Sequence, residues 1–168
     1  MQYMINSGEI DPRAALIVDI LTAKGWTISF AESCTAGLAA AHLVDIPSAS
    51  NVFNASFVTY ANEAKMKYLG VDEKTIETFG VVSEEVAGEM ARGCAKANEA
   101  EVGVGISGVA GPGGGTPETP VGTVWMAARC GERMLTQCRH IPGHRDRVIS
   151  RATNDALLLL LSLLVDSE

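Results

Sequence analysis

Ala31-Glu32-Ser33-Cys34-Thr35-Ala36-Gly37 joins the β-rich run Trp26-Thr27-Ile28-Ser29-Phe30 to the helix formers Leu38-Ala39-Ala40-Ala41-His42-Leu43. The change of residue type across the heptapeptide reads as a strand that turns directly into a helix. The first backbone N–H groups of such a helix have no internal partner and carry the positive end of the peptide dipoles, so an anion, or a group becoming one, is favoured beside them. Ser33 and Cys34 thus stand where a nucleophile would find oxyanion donors, the nearest being the N–H groups of Cys34 and Thr35. The same residues also suit a purely structural role, with Ser33 or Thr35 capping the helix.

Outward from this turn, the chain alternates in the same way. Ala14, Leu16, Ile17, Ile20 and Leu21 recur at helical spacing, with Asp11 as N-cap, Pro12 at the first helical position and Gly25 just past the end. The helix after the turn should stop near Leu43, before the loop-forming Pro47-Ser48-Ala49-Ser50-Asn51. Residues 52–60 are predicted as a second strand, and 61–69 as a helix ended by Gly70. Asp72 can cap a short helix and Ser83 a longer one over 84–97, with Val86, Met90 and Cys94 on one face. Residues 101–107 read as a third strand whose glycines suggest close approach of a backbone or ligand. Residues 107–120, rich in glycine and proline, can be neither helix nor central strand, and loops of that length are more often functional than idle. Strands over 121–128 and 134–141 about Gly131 predict a C-terminal β-hairpin, followed by a helix over 145–165. The pattern predicts an α/β fold: a single three-layer α/β/α domain over residues 1–168, with a mixed, mostly parallel sheet covered on both faces.

A chain of 168 residues buries enough surface to need no staple. Its 13 basic against 20 acidic residues, net −7, argue against a nucleic-acid groove or an anionic membrane surface as partner and leave a small-molecule site open. Cys34, Cys94, Cys130 and Cys138 form no C-x-x-C pair and have no histidine spacing typical of zinc, so neither a metal nor a redox motif is expected, and reduced thiols suit the cytoplasm. Glu9, Asp11, Arg13 and Asp19 break up the N-terminal stretch, unlike a signal peptide. The apolar run 156–165 is about half a bilayer span and reads as a buried helix.

Gly103-Val104-Gly105-Ile106-Ser107-Gly108 matches G-x-G-x-x-G, but its last glycine opens a proline-broken loop and not a helix, which argues against a dinucleotide site. No Gly-Lys-Ser/Thr follows, so a Walker loop is excluded. The N–H groups from Ser107 and Gly108 through Gly111, Gly113 and Gly114 to Thr116 can still cradle a phosphate, or the loop can sit at a subunit contact. Tyr60 and Lys65 belong to the second strand-to-helix junction, on the same sheet edge as Ser33 if the strands are parallel, the edge where α/β folds place ligands. A serine nucleophile needs a base, and His42, His140 and His144 have no evident triad partners. Lysine can serve if burial or a nearby cation lowers its usual pKa of about 10.4. Spacing alone favours an ordinary exposed lysine like Lys67. Arg145, Arg147 and Arg151 crowd the first turns of the last helix against its dipole; the anion that relieves them is either a ligand phosphate or Asp146 and Asp155. His140 and His144 lack a third ligand for a metal.

The opening heptapeptide, Phe57-Val58-Thr59-Tyr60-Ala61-Asn62-Glu63-Ala64-Lys65, Gly80-Val81-Val82-Ser83-Glu84 and the loop Gly105-Ile106-Ser107-Gly108-Val109-Ala110-Gly111-Pro112-Gly113-Gly114-Gly115-Thr116-Pro117-Glu118 together resemble the CinA C-terminal domain family. Pro120-Val121-Gly122-Thr123-Val124-Trp125 and Gly143-His144-Arg145 continue the match in the expected order. The chain is most similar to the family's stand-alone nicotinamide-nucleotide amidohydrolases, and is expected to be that unit alone. The resemblance implies hydrolysis of the carboxamide of nicotinamide mononucleotide to nicotinate mononucleotide and ammonia, without a cofactor, by Ser33 and Lys65 with Tyr60 assisting. The ligand phosphate is then expected on the loop from Gly108 to Thr116 with Arg145, and a homodimer or higher homo-oligomer is favoured. The rival expectation is a non-catalytic nucleotide-binding sensor. Departures are Ala36-Gly37 for the family's Gly-Gly, Pro47-Ser48-Ala49-Ser50 for Pro-Gly-Ser-Ser, and Gly143-His144-Arg145 for Gly-Asp-Arg.

Overall fold

Ile28–Glu32 (β1) is buried along its whole length, its polar Ser29 and Glu32 included, as befits an inner strand covered on both faces. In the computed structural model, which describes residues 10–166, β1 pairs in parallel with Phe57–Val58 (β2) on one side and Val102–Gly108 (β3) on the other. Thr123–Cys130 (β4) runs antiparallel to β3, and Arg133–His140 (β5) antiparallel to β4. The sheet order is β2-β1-β3-β4-β5, and β4 alone points against the others. The mixed sheet and the hairpin are as the sequence predicts. Residues 1–9 and 167–168, counted in the expected domain, and the Glu9 of the signal-peptide reading lie outside the described residues.

The helices divide between the two faces. Pro12–Lys24 (α1), Leu38–Val44 (α2) and Arg145–Val165 (α6) cover one, where Ile17, Leu21, Leu43, Leu157 and Leu160 pack on Phe30, Val104 and Met126. Asn62–Leu69 (α3), Glu73–Phe79 (α4) and Glu84–Ala97 (α5) cover the other. At its centre that second face carries the small residues Ala31, Gly103, Gly105 and Ala127: a Cβ on Gly103 or Gly105 would collide with the carbonyl of Ala91 or Ala87 in α5. These glycines therefore admit a helix backbone, the first of the two explanations their spacing allowed, and the G-x-G-x-x-G match has a packing cause.

Caps form where local sequence places them. Asp11 accepts from the Arg13 N–H at 2.9 Å, Asp72 from the Lys74 N–H at 2.9 Å, and Ser83 from the Val86 N–H at 3.3 Å. The strand predicted over 52–60 is a correction: Ala49–Asn51 is a 3₁₀ turn, Phe53 makes a single parallel bridge to Ile28, and only Phe57–Val58 forms a ladder. Asn54, Ala55 and Ser56 offer no apolar face for this sheet edge, and side chains take over the pairing. Ser29 Oγ and Asn98 Nδ2 each donate to the Ala55 carbonyl at 3.0 Å. Among the described residues α6 is the one helix long and apolar enough to suit a bilayer, but half of that stretch is buried within the fold, as expected of a core helix.

Candidate active site

The ends of β1, β2 and β3 lie together because the three strands are parallel. Ser33 follows β1 immediately and remains tied to β3, its N–H donating to the Ile106 carbonyl at 3.0 Å. The turn after it is held by Glu32, a fully buried carboxylate. Glu32 Oε2 accepts from Thr35 Oγ1 at 2.6 Å and from the N–H groups of Gly37 and Ala39 at 3.1 Å, while Oε1 accepts from the Ala40 N–H at 2.9 Å. Glu32 rather than Ser33 or Thr35 therefore satisfies the start of α2, which corrects the capping alternative. It also withdraws those amides from any oxyanion role. The Cys34 and Thr35 N–H groups are not among them, and neither donates to a carbonyl or carboxylate among the described residues.

The turn needs left-handed backbone at both Ala36 (φ +51°) and Gly37 (φ +94°). Glycine adopts this freely, whereas alanine at such a φ costs about 1–2 kcal/mol. Ala36 thus occupies the position where the resemblance expects a glycine, and the turn forms nonetheless because Glu32 holds both sides of it.

Lys65 lies on the inward face of α3 with Leu69, four residues on, and is fully buried. Its Nζ donates to Ser33 Oγ at 3.1 Å, to the Thr59 carbonyl at 2.7 Å and to the Tyr60 carbonyl at 3.2 Å. Among the described residues no carboxylate pairs with it. Burial pulls its pKa from 10.5 down to about 8, against a smaller opposing influence of Cys34. The exposed position that spacing alone favoured for Lys65 is thus corrected, whereas Lys67 is exposed as expected and lies over the Tyr68 ring. Cys34 is also buried, and its thiol is pushed up to about 11, first by burial and then by Glu32. Of the two adjacent side chains, Ser33 Oγ has the Lys65 amine within hydrogen-bond reach, while the Cys34 thiol is held in its protonated form.

Tyr60 meets Lys65 through its carbonyl; its phenol, 60% exposed with the rest of the side chain, accepts from Arg145 Nη2 at 2.9 Å. Arg145 Nη1 donates to the Gly111 carbonyl at 2.7 Å, so one guanidinium joins the glycine-rich loop to Tyr60. The other loop candidates are placed differently. Ser107 is buried and donates to the Val81 carbonyl at 2.8 Å, and Gly108 belongs to the β3–β4 ladder, where a Cβ would crowd Val124. Thr116 closes a turn, exchanging bonds with Thr119 at 3.0 Å. Gly113 and Gly114 stand exposed beside them.

Two residues near Ser33 escaped the sequence reading. Glu32 was legible in principle, since a carboxylate just ahead of a helix start is favoured by the helix dipole. Thr59 was not: its Oγ1 is the one buried side-chain polar atom among the described residues without a hydrogen-bond partner. Room alone would mislead, since a groove of about 480 Å³ lined by Trp26, Glu101, Arg129 and Arg133 opens at the opposite end of the strands, away from Ser33 and Lys65. Among the described residues no three His, Cys, Asp or Glu side chains converge to hold a metal.

The model of the CinA C-terminal domain matches residues 10–164. The chain belongs to the CinA C-terminal domain family. This CinA-family chain is 46% identical over 147 residues to a CinA-like protein of Petrotoga mobilis, covering 88% of this chain and 36% of that protein. A CinA-like protein of Kosmotoga olearia is 42% identical over 156 residues, covering 93% and 38%. The chain therefore spans well under half the length of these curated relatives. Among solved structures, the competence/damage inducible protein CihA of Agrobacterium tumefaciens superposes with a TM-score of 0.89 at 37% identity, covering 97% of this chain and 99% of that one. A CinA superfamily protein of Escherichia coli gives 0.88 at 35% identity, with 97% and 94% covered.

Proposed function

We propose that this CinA-family chain hydrolyses the carboxamide of nicotinamide mononucleotide to nicotinate mononucleotide and ammonia, as a cytoplasmic homodimer working in pyridine-nucleotide recycling. The observation that carries the reading is the buried Lys65 amine, 3.1 Å from Ser33 Oγ and without a carboxylate partner among the described residues. A buried lysine facing only carbonyls and a serine hydroxyl is a poor ion pair and a usable base.

Neutral Lys65 takes the Ser33 proton as Oγ attacks the carboxamide carbon. The oxyanion is held by the N–H groups of Cys34 and Thr35, each such donor being worth roughly 3 kcal/mol in acyl transfer. The Lys65 ammonium, steered by the Thr59 and Tyr60 carbonyls, then protonates the departing nitrogen, because an unprotonated amide nitrogen is too poor a leaving group. The Arg145 bond to the Tyr60 phenol favours direct transfer over a relay through that phenol. Water, deprotonated by Lys65, finally hydrolyses the acyl-enzyme. Arg145 and the exposed glycines of the loop suit the substrate's phosphate.

Ammonia release from nicotinamide mononucleotide by the wild-type chain, and its loss in Ser33→Ala, tests the reading. Tight binding of the nucleotide with no turnover would replace it with the sensor. Equal efficiency with nicotinamide riboside, which lacks the phosphate, would remove the phosphate assignment.

A further inference from the structure

A groove of about 420 Å³ opens between the end of β5 and α6, lined among others by Arg139, His140, Arg147, Arg151, Asn154 and Asp155. It contains none of Ser33, Lys65 or Arg145. Three guanidiniums face a single carboxylate there, in a chain whose net charge is −7. Asp155 is only 2% exposed and works as the internal brace. It accepts from Arg151 Nε at 3.1 and 3.3 Å and lies 3.3 Å from Arg139 Nε. Both arginines are gripped by their inner nitrogens, and their terminal Nη groups have no hydrogen-bond partner among the described residues.

Arg147 adds the third fork, one helical turn before Arg151 on α6. Among the described residues it has no carboxylate or carbonyl partner. Its stem lies against Gly143, where φ is +121° and a Cβ would come within 2.8 Å of Arg147 Cδ. The chain thus keeps a bare glycine where the arginine stem passes. Like charges gathered in a concavity repel one another, and the repulsion is relieved by an anion that several forks can grip at once. Arg139 and Arg151 already meet on Asp155, and Arg147, one turn earlier on α6, extends the row, so an anion carrying two charged groups engages more of the forks than a single phosphate does.

We propose that this groove is a second anion site, separate from the Ser33–Lys65 centre, that binds a diphosphate-bearing small molecule. The proposal stands on the groove's own residues and is independent of the amidase reading.

Inorganic pyrophosphate titrated calorimetrically into the full chain at low salt tests it, with inorganic phosphate for comparison. Saturable binding of pyrophosphate, weaker binding of phosphate, and a loss of about tenfold or more in affinity on Arg147→Ala are expected. Arg147 braces nothing in the described fold, so this variant should fold, and its thermal melting verifies that. Pyrophosphate held by Arg145 on the Gly111 and Tyr60 side belongs to the nucleotide-phosphate site of the proposed function, so the Arg147 comparison is repeated in the Arg145→Ala background, where the tenfold loss should persist. Two results would overturn the proposal: no saturable binding to the Arg145→Ala chain, or binding to that chain that survives the addition of Arg147→Ala.

Discussion

Lys65→Arg isolates the base. With its pKa drawn down to about 8, roughly one Lys65 in eleven is neutral at pH 7, against about one in 3,000 for a lysine left at 10.5. Burial therefore multiplies the supply of neutral amine by about 300, the factor that separates a usable base from an ordinary lysine. Turnover of nicotinamide mononucleotide at saturating substrate should rise about tenfold per pH unit below pH 8 and level off above it. Arginine retains the charge but does not deprotonate in a protein, so Lys65→Arg should lose about three orders of magnitude and lose the pH dependence with it. The same pKa has a stability consequence of definite sign. Below pH 8 the folded and unfolded chains both carry the ammonium, and the native state bears the full cost of burying it. Between about 8 and 10.5 the folded state has released the proton and the unfolded state has not, so stability relative to Lys65→Met should climb through that window. Ammonia release and urea unfolding, each measured across pH, check the two halves. A flat pH–rate profile, or near-wild-type turnover in Lys65→Arg, would refute the reasoning.

Ser33→Ala should reduce turnover by about 10³-fold or more, while Cys34→Ala, which removes a thiol held at about 11, should keep most of it; the reverse result in the ammonia assay would exchange their roles. Glu32→Ala deprives four donors of their acceptor and should lower stability by about 3 kcal/mol or more in urea unfolding, with Glu32→Gln intermediate because an amide accepts through only one oxygen. An effect below about 1 kcal/mol would mean that the turn holds its shape without the carboxylate. Thr59→Val removes the unpartnered hydroxyl at nearly constant volume and should leave the melting temperature unchanged or raised. A drop of several degrees would show that Oγ1 has a partner in solution.

What the sequence by itself determined is what depends on neighbours a few residues away. Asp11, Asp72 and Ser83 cap their helices because a short polar side chain reaches only the amides two or three residues on. The strand-to-helix turn at residues 31–37 follows from the same local rules, as does the placing of Ser33 at the end of a strand. The pairing of Ser33 with a lysine was legible as residue types and as a family likeness. It was not legible as geometry. Lys65 and Lys67 are two positions apart on one short helix, and nothing local distinguishes a buried base from a solvated lysine. The choice was made by which face of α3 packs inward with Leu69, a matter of distant strands and of α5. The same holds for the strand that shrank to Phe57–Val58, since an edge strand lasts only as far as a partner and an apolar face support it. It holds also for Gly103 and Gly105, emptied to admit α5, and for Arg145, whose two contacts lie 34 and 85 residues away along the chain. Short-range hydrogen bonds are written in the sequence; burial, and the proton affinity that burial sets, exists only once distant segments have excluded the water.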